Sequence, residues 1–137
     1  MTPFFAYGPL MHPDEMAVPC PDAEPVGPAR LPGWRVAVGA QGRVTILPDL
    51  TGVVEGVLWA VEDDKLPDLL KAEPGYHHLE LGVFDEEGQL FQAITSEAAD
   101  PAPGRAIEGY LSALQEIARY WKLSEPYVAA IGACERR

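Results

Sequence analysis

The sequence predicts an α+β fold in which a curved or closed sheet supports packed helices. Two features of the chain predict it. Apolar, β-branched runs broken by Gly and Pro fill most of the first two thirds, while long helical periodicity is confined to the last third, without strict alternation of strand and helix. In addition, 13 Gly and 14 Pro among 137 residues make up about a fifth of the chain against a usual ~12%, which leaves little room for long helical bundles.

Each element has a local cause. Pro3 to Tyr7 is a short apolar run ended by Gly8-Pro9, which reads as an opening strand followed by a sharp loop. Pro13 to Pro32 is rich in Pro, Asp, Glu and Gly, so an ordered surface excursion is expected there. Trp34 to Val38 and Arg43 to Leu47 flank Gly39-Ala40-Gln41-Gly42, a hairpin whose glycines can take positive φ. Val53 to Val61 reads as the next strand, with Gly56 marking a bulge or a bend where another backbone comes close. Asp63 and Asp64 precede Leu66, Leu69 and Leu70, the pattern of a short helix running to about Ala72 and stopped by Pro74-Gly75. Tyr76 to Phe84 and Leu90 to Thr95 flank Glu86-Glu87-Gly88-Gln89, a hairpin with a charged tip. Ile107, Tyr110, Leu111, Leu114, Ile117, Ala118 and Trp121 form one apolar helical stripe. Ser124 is placed to cap a last helix with Pro126 in its first turn, burying Val128 and Ile131. The expectation is about seven strands and three helices.

Composition narrows the function. Lys and Arg number 10 against 21 Asp and Glu, for a net charge of −11. That balance disfavours general attraction to nucleic acid or to an anionic membrane, both of which need a basic surface. With 47% hydrophobic residues, residues 1–137 are expected to form one compact domain with an adequate core. No stretch approaches the ~18 apolar residues of a membrane span, and Met1 to Tyr7 lacks a basic segment leading into a long apolar one, so a cytoplasmic protein is expected. Cys20 and Cys134 are too few for a disulfide framework or a thiolate metal site, although a single bridge stays open.

Chemistry could sit at two places. Glu73 stands between a helix end and a Pro-Gly turn, just before an aromatic strand. Turned inward beside groups such as Tyr76 and Trp59, its carboxyl would be desolvated and its pKa raised toward neutrality, as a general base requires. The alternative is an ordinary solvated loop glutamate. The turn Tyr7-Gly8-Pro9-Leu10 could aim backbone N–H groups at an anionic or carbonyl oxygen, with Gly8 letting a ligand approach the main chain; otherwise it simply ends a strand. His77-His78, with His12 and Glu73, suggests a metal, but neighbours on a strand point to opposite faces and no ligand spacing is complete. No metal site is expected, and one histidine should be exposed and the other partly packed. Asp63-Asp64 and Glu86-Glu87 read as a helix start and a hairpin tip. Tyr110, Tyr120, Trp121 and Tyr127 are candidate core aromatics, Trp121 foremost. No nucleophile elbow, phosphate-binding loop, dinucleotide fingerprint or zincin motif is present.

In their order along the chain, several segments together resemble the gamma-glutamylcyclotransferase-like (AIG2-like) superfamily. Phe4-Phe5-Ala6-Tyr7-Gly8-Pro9-Leu10-Met11 is similar to the family's strand-loop. Ala29-Arg30-Leu31-Pro32-Gly33-Trp34-Arg35 and Val54-Glu55-Gly56-Val57-Leu58-Trp59-Ala60-Val61 follow. Leu69-Leu70-Lys71-Ala72-Glu73-Pro74-Gly75-Tyr76 resembles the segment in which Leu-Asp precedes the catalytic Glu by two residues. Tyr110-Leu111 and Leu123-Ser124-Glu125-Pro126-Tyr127 resemble the closing helices. Pro9 stands where the family usually has Ser or Thr, Leu70 where it has Asp, and Pro74 where it has Gly.

The resemblance implies a small mixed β-barrel with flanking helices and an enzyme that needs no cofactor. It implies that the α-amino group of a small-molecule γ-glutamyl substrate attacks its own γ-carbonyl, releasing 5-oxoproline and an amine. Glu73 would accept the α-ammonium proton and return it to the leaving amine, while Tyr7, Gly8, Pro9 and Leu10 hold the γ-glutamyl unit and Tyr110, with Tyr127 a further candidate, lies nearby. Two alternatives stay open: a non-catalytic small-ligand or protein-interaction domain on the same fold, and a hydrolase or transferase that admits an external nucleophile.

Overall fold

A computed structural model describes residues 1–135. Five strands, β1 (Thr2–Ala6), β2 (Glu24–Val38), β3 (Val44–Val61), β4 (Tyr76–Asp85) and β5 (Leu90–Ala98), close into a barrel in the order β1-β3-β2-β4-β5. All neighbours are antiparallel except β1 and β5, whose parallel pairing at Phe4 and Ile94 closes the ring. The Thr95 hydroxyl reinforces that seam by donating to the Phe5 carbonyl at 2.8 Å. Four helices, α1 (Pro13–Met16), α2 (Leu66–Ala72), α3 (Tyr110–Tyr120) and α4 (Glu125–Ala133), and two short 3-10 turns complete the chain. No helix among the described residues is long and apolar enough to cross a membrane.

Five strands replace the expected seven, in part because Arg43–Leu47 and Val53–Val61 belong to one long strand, β3. Trp34–Val38 and Arg43–Leu47 do form a hairpin, with Gly42 at φ 82° and Gly39 N–H bonded to Arg43 O at 2.9 Å. Both arms continue past it. β3 runs from Val44 through Val61, and β2 pairs with it again from Glu24 to Pro32, after a register shift between Pro32 and Trp34 where Gly33 takes φ 87°. The expected excursion over Pro13–Pro32 is therefore corrected: its first part is α1 and its second part is half of β2. Proline misled because it usually marks loops, yet β2 meets β4 only at Ala29 and Arg30, and a proline nitrogen facing the open side forgoes no ladder bond.

The core draws on every strand, with both faces of β1 and of the end of β3 buried, one inside the barrel and one under the helices and loops. Phe4 and Phe5 of β1, Leu31 and Val36 of β2, Ile46, Val54, Val57 and Leu58 of β3, and Val83 of β4 are all buried. α3 adds Leu114 and Ala118, and α4 adds Val128 and Ile131 as expected, with Ser124 Oγ capping the Tyr127 N–H. Glu55 of β3 accepts from the Ser124 N–H at 2.9 Å, which ties the start of α4 to the sheet. α3 begins at Tyr110 rather than near Ile107, because Gly109 takes φ 80° and ends the extended approach; Ile107 is half exposed. Cys20 and Cys134 are buried thiols not joined in a disulfide.

Trp121 is half-buried rather than deep in the core: its indole meets Trp59 edge-on and donates from Nε1 to the Met11 carbonyl at 2.7 Å. Tyr120 is 68% exposed, contrary to its expected place in the core. It lies next to Trp121, which takes the inward-facing position of that turn.

Gly56 lies under the end of β1, and a Cβ there would come within 2.3 Å of the Ala6 carbonyl oxygen and 2.9 Å of the Phe5 ring. Gly56→Ala is expected to lower the unfolding free energy by about 2–3 kcal/mol, the upper part of the overpacking range. Urea denaturation followed by tryptophan fluorescence measures it.

Candidate active site

The mouth of the barrel is assembled at one end of five segments. β1 delivers Tyr7 as it leaves the sheet, and Gly8 then caps a 3-10 turn over Pro9–Met11, held by Met11 N–H to Gly8 O and His12 N–H to Pro9 O, each 2.9 Å. Pro9 occupies the first position of that turn, where a missing N–H removes no internal bond. The turn's own bonds start at Met11, so they do not use the N–H of Leu10. The Trp121 indole on the Met11 carbonyl fixes this turn against α3.

Glu73 is the C-cap of α2, with its N–H on Leu70 O at 3.2 Å and its carbonyl accepting from Tyr76 N–H at 3.1 Å. Between them, Pro74 and Gly75 occupy the two central positions of a tight turn, with Gly75 at φ 87°. The positive φ is what favours glycine at position 75; the nearest atoms a Cβ would meet belong to the end of the flexible, exposed Gln41 side chain. Gly75 O also accepts from Ala99 N–H at 2.8 Å. Pro74 thus fits the turn that aims the carboxyl.

The side chain of Glu73 faces a cavity of about 360 Å³. Tyr7, Gly8, Pro9 and Leu10 line this cavity, as do Tyr76, Ser96 and Tyr110. Its Oε1 is shut off from solvent and takes no hydrogen bond among the described residues. Burial pushes the Glu73 pKa up to about 7 from an ordinary 4.5, against the opposing pull of the Ser96 hydroxyl and the Arg43 guanidinium.

Three tyrosines frame this carboxyl. Tyr7, fully buried and with its pKa raised by burial, donates to the Ser96 carbonyl across the β1–β5 seam. Tyr76 and Tyr110 hold the main chain of one β3 residue: Tyr76 donates to Val44 O, and Tyr110 Oη accepts from Val44 N–H at 3.1 Å. Burial pushes the Tyr110 pKa up to about 12, so its hydroxyl keeps its hydrogen across the ordinary range. Neither neighbours nor φ demand glycine at position 8, where a Cβ would find only ordinary contacts with Val44 and Tyr110.

Not every candidate joins this cavity. Tyr127 is on the buried face of α4 and does not line it, and Trp59 packs against Trp121 instead of Glu73. His77 is exposed and lies 2.7 Å from Glu97, while His78 packs edge-on to Phe4. His12 accepts the Asp14 N–H and so caps α1. Asp63 and Asp64 start the 3-10 turn that leads into α2. Asp85 closes the β4–β5 tip by accepting from Glu87 and Gln89 N–H. Arg43 and Ser96 were missed as site residues: both sit inside or beside ordinary strands, and only the closure of the barrel brings them to Glu73.

Comparison with known proteins agrees with this architecture. The family described as Gamma-glutamyl cyclotransferase, AIG2-like matches residues 4–109. A solved structure described as gamma-glutamyl cyclotransferase superposes with a TM-score of 0.88 at 21% identity, covering 99% of this chain and 89% of that one. A Homo sapiens protein described as uncharacterised gives 0.87 at 22% identity, with coverages of 99% and 89%. A yeast gamma-glutamyl cyclotransferase described as specific to glutathione gives 0.64 at 11% identity, with coverages of 98% and 97%. No curated protein matches the sequence. At these identities the structural likenesses show the fold, a closed mixed barrel with flanking helices, whereas the family match spans most of the chain. The chain belongs to the gamma-glutamyl cyclotransferase, AIG2-like family.

Proposed function

We propose that the protein is a cyclotransferase that converts a γ-glutamyl amine or peptide into 5-oxoproline and the free amine, with Glu73 as general acid and base. One observation carries this reading: a desolvated carboxyl with a pKa of about 7 shares a cavity with the Tyr7–Leu10 turn.

The reaction suits the site. The α-amino nitrogen attacks the γ-carbonyl carbon, and Glu73 takes the proton that this nitrogen sheds. The bond to the departing nitrogen then breaks as Glu73 returns the proton to it. Nucleophile and electrophile belong to one molecule and close a five-membered ring, so the entropic cost of bringing them together is already met by the tether. The protein's remaining tasks are proton transfer and stabilisation of the charge that develops on the carbonyl oxygen. Main-chain N–H groups of Gly8 and Leu10 serve the second task, while Pro9 shapes the turn without donating. Tyr110, whose oxygen accepts from Val44 N–H, keeps its own O–H for the substrate. Among the described residues Arg43 is the one Lys or Arg lining this cavity, and it pairs with the substrate α-carboxylate. The small substrate and the absence of a membrane-spanning helix among the described residues fit a cytoplasmic enzyme.

Incubation with γ-glutamyl dipeptides and γ-glutamyl amines is expected to yield 5-oxoproline, detected by mass spectrometry. Release of glutamate would point to an external nucleophile, and no product at all to a binding domain. Glu73→Gln should cut the rate by about 10²–10⁴-fold, the usual worth of a positioned general base; wild-type turnover in this variant would remove Glu73 from the mechanism. Because the base must be ionised, kcat/KM should fall below pH about 7, following the raised Glu73 pKa. An acid limb near 4.5, the ordinary carboxyl value, would contradict the assignment.

A further inference from the structure

Thr45, Thr95 and Ser96 bring aliphatic hydroxyl groups into the buried part of the barrel. Two of them serve the main chain: Thr95 donates to the Phe5 carbonyl, and Thr45 Oγ1 accepts from the Ala98 N–H, each at 2.8 Å. Ser96 differs. Its carbonyl accepts from the Tyr7 hydroxyl, but its own hydroxyl bonds no main-chain group among the described residues, and it lines the cavity that Glu73 faces. A hydroxyl has one hydrogen to give. Two acceptors lie within reach of this one, the Tyr7 oxygen and the Glu73 carboxyl. Thr45 accepts the Ala98 N–H on a lone pair and keeps its own hydrogen for Tyr7, on which it acts more strongly than Ser96 does. The Ser96 hydrogen is left for Glu73, and a bond to a charged acceptor is the stronger of the two choices.

We propose that Ser96 is a positioning residue for Glu73: its hydroxyl donates to the ionised carboxylate and holds it toward the cavity, while Tyr7, bonded to the Ser96 carbonyl, fixes that donor across the β1–β5 seam. The proposal rests on the cyclotransferase reading and adds the residue that sets the pH range of the base. Because Oε1 takes no hydrogen bond among the described residues, Ser96 addresses Oε2 and leaves Oε1 to the substrate. The other groups around the carboxyl do not compete with it. Burial raises the Tyr7 and Tyr76 pKa values and pushes Tyr110 up to about 12. Arg43 of the β2–β3 hairpin contributes a guanidinium charge that does not vary. Glu15 of α1 is exposed at the rim. His78, opposite Ser96 in the β4–β5 ladder, packs against Phe4, and burial lowers its pKa.

Two variants test the donor. Ser96→Ala removes the hydroxyl, and Ser96→Cys keeps its volume but offers only a weak S–H donor. In each, the NMR midpoint of the Glu73 carboxyl and the acid limb of kcat/KM are expected to rise together, by about one pH unit for Ser96→Ala, the usual worth of a hydrogen bond to a charged group. At pH 7 that shift lowers kcat/KM about fivefold, while well above the new midpoint the rate returns to within about twofold of wild type. A midpoint or limb that stays at its wild-type position in both variants, or an equal loss of rate at every pH, would overturn the proposal, because a merely structural role lowers the plateau without moving the limb. The NMR titration needs no turnover, so the two claims separate. Formation of 5-oxoproline with an unshifted midpoint would reject Ser96 and leave the cyclotransferase in place. A shifted midpoint in a protein that forms no 5-oxoproline from γ-glutamyl dipeptides or amines would reject the cyclotransferase and keep the Ser96 contact.

Discussion

The site depends on one constraint, the withdrawal of the Glu73 carboxyl from water. A carboxylate in solution is too weak a base to take a proton from an amine at an appreciable rate near neutral pH. Burial alters that balance because the charged form loses its hydration while the neutral form loses little. Several parts of the fold serve this end together. The closed ring of strands supplies the wall, with Tyr7 and Ser96 meeting across the β1–β5 seam. The tight turn at Pro74-Gly75, pinned by the Ala99 N–H on Gly75 O, sets the direction of the side chain. Ser96 and Arg43 limit the shift, so the carboxyl is poised near neutrality rather than locked in its protonated form.

The same environment has an energetic consequence for the fold. A carboxyl whose folded pKa lies above its unfolded value favours folding only while it is protonated. Its contribution is complete below the unfolded pKa of 4.5 and is lost as pH rises through about 7. The protein therefore carries a built-in cost at the pH where this carboxyl is ionised, offset by the aromatic and aliphatic core of the barrel. Two prolines that depart from the family pattern are accommodated in the same economical way: Pro9 begins a 3-10 turn where no internal donor is needed, and Pro74 enters a turn whose next residue, Gly75, takes the positive φ.

Much of this was legible in the sequence where local chemistry dominates. The Ser124 cap, the Glu86-Glu87 hairpin tip, the stop after Ala72 and the close approach at Gly56 each follow from one or two residues and their neighbours. What escaped depends on distant partners. The strand from Glu24 to Pro32 was hidden by prolines that are harmless only because β4 leaves most of β2 uncovered. At the site, Glu73 and the Tyr7–Leu10 turn could be singled out because a Pro-Gly turn and a strand-ending glycine are local signals. Arg43 and Ser96 carry no such mark, since their place beside Glu73 comes from ring closure. Trp59 shows the converse: its closeness to Glu73 was a reasonable inference from apolar surroundings, but pairing with Trp121 holds it elsewhere.

The most direct measurement is the titration of the Glu73 carboxyl carbon by NMR, assigned by the loss of its signal in Glu73→Gln. A midpoint near 7, well above the ordinary 4.5, is the result this account requires. A midpoint at the value of a solvated glutamate would mean that water reaches the carboxyl freely, and the chemistry assigned to this cavity would lose its basis.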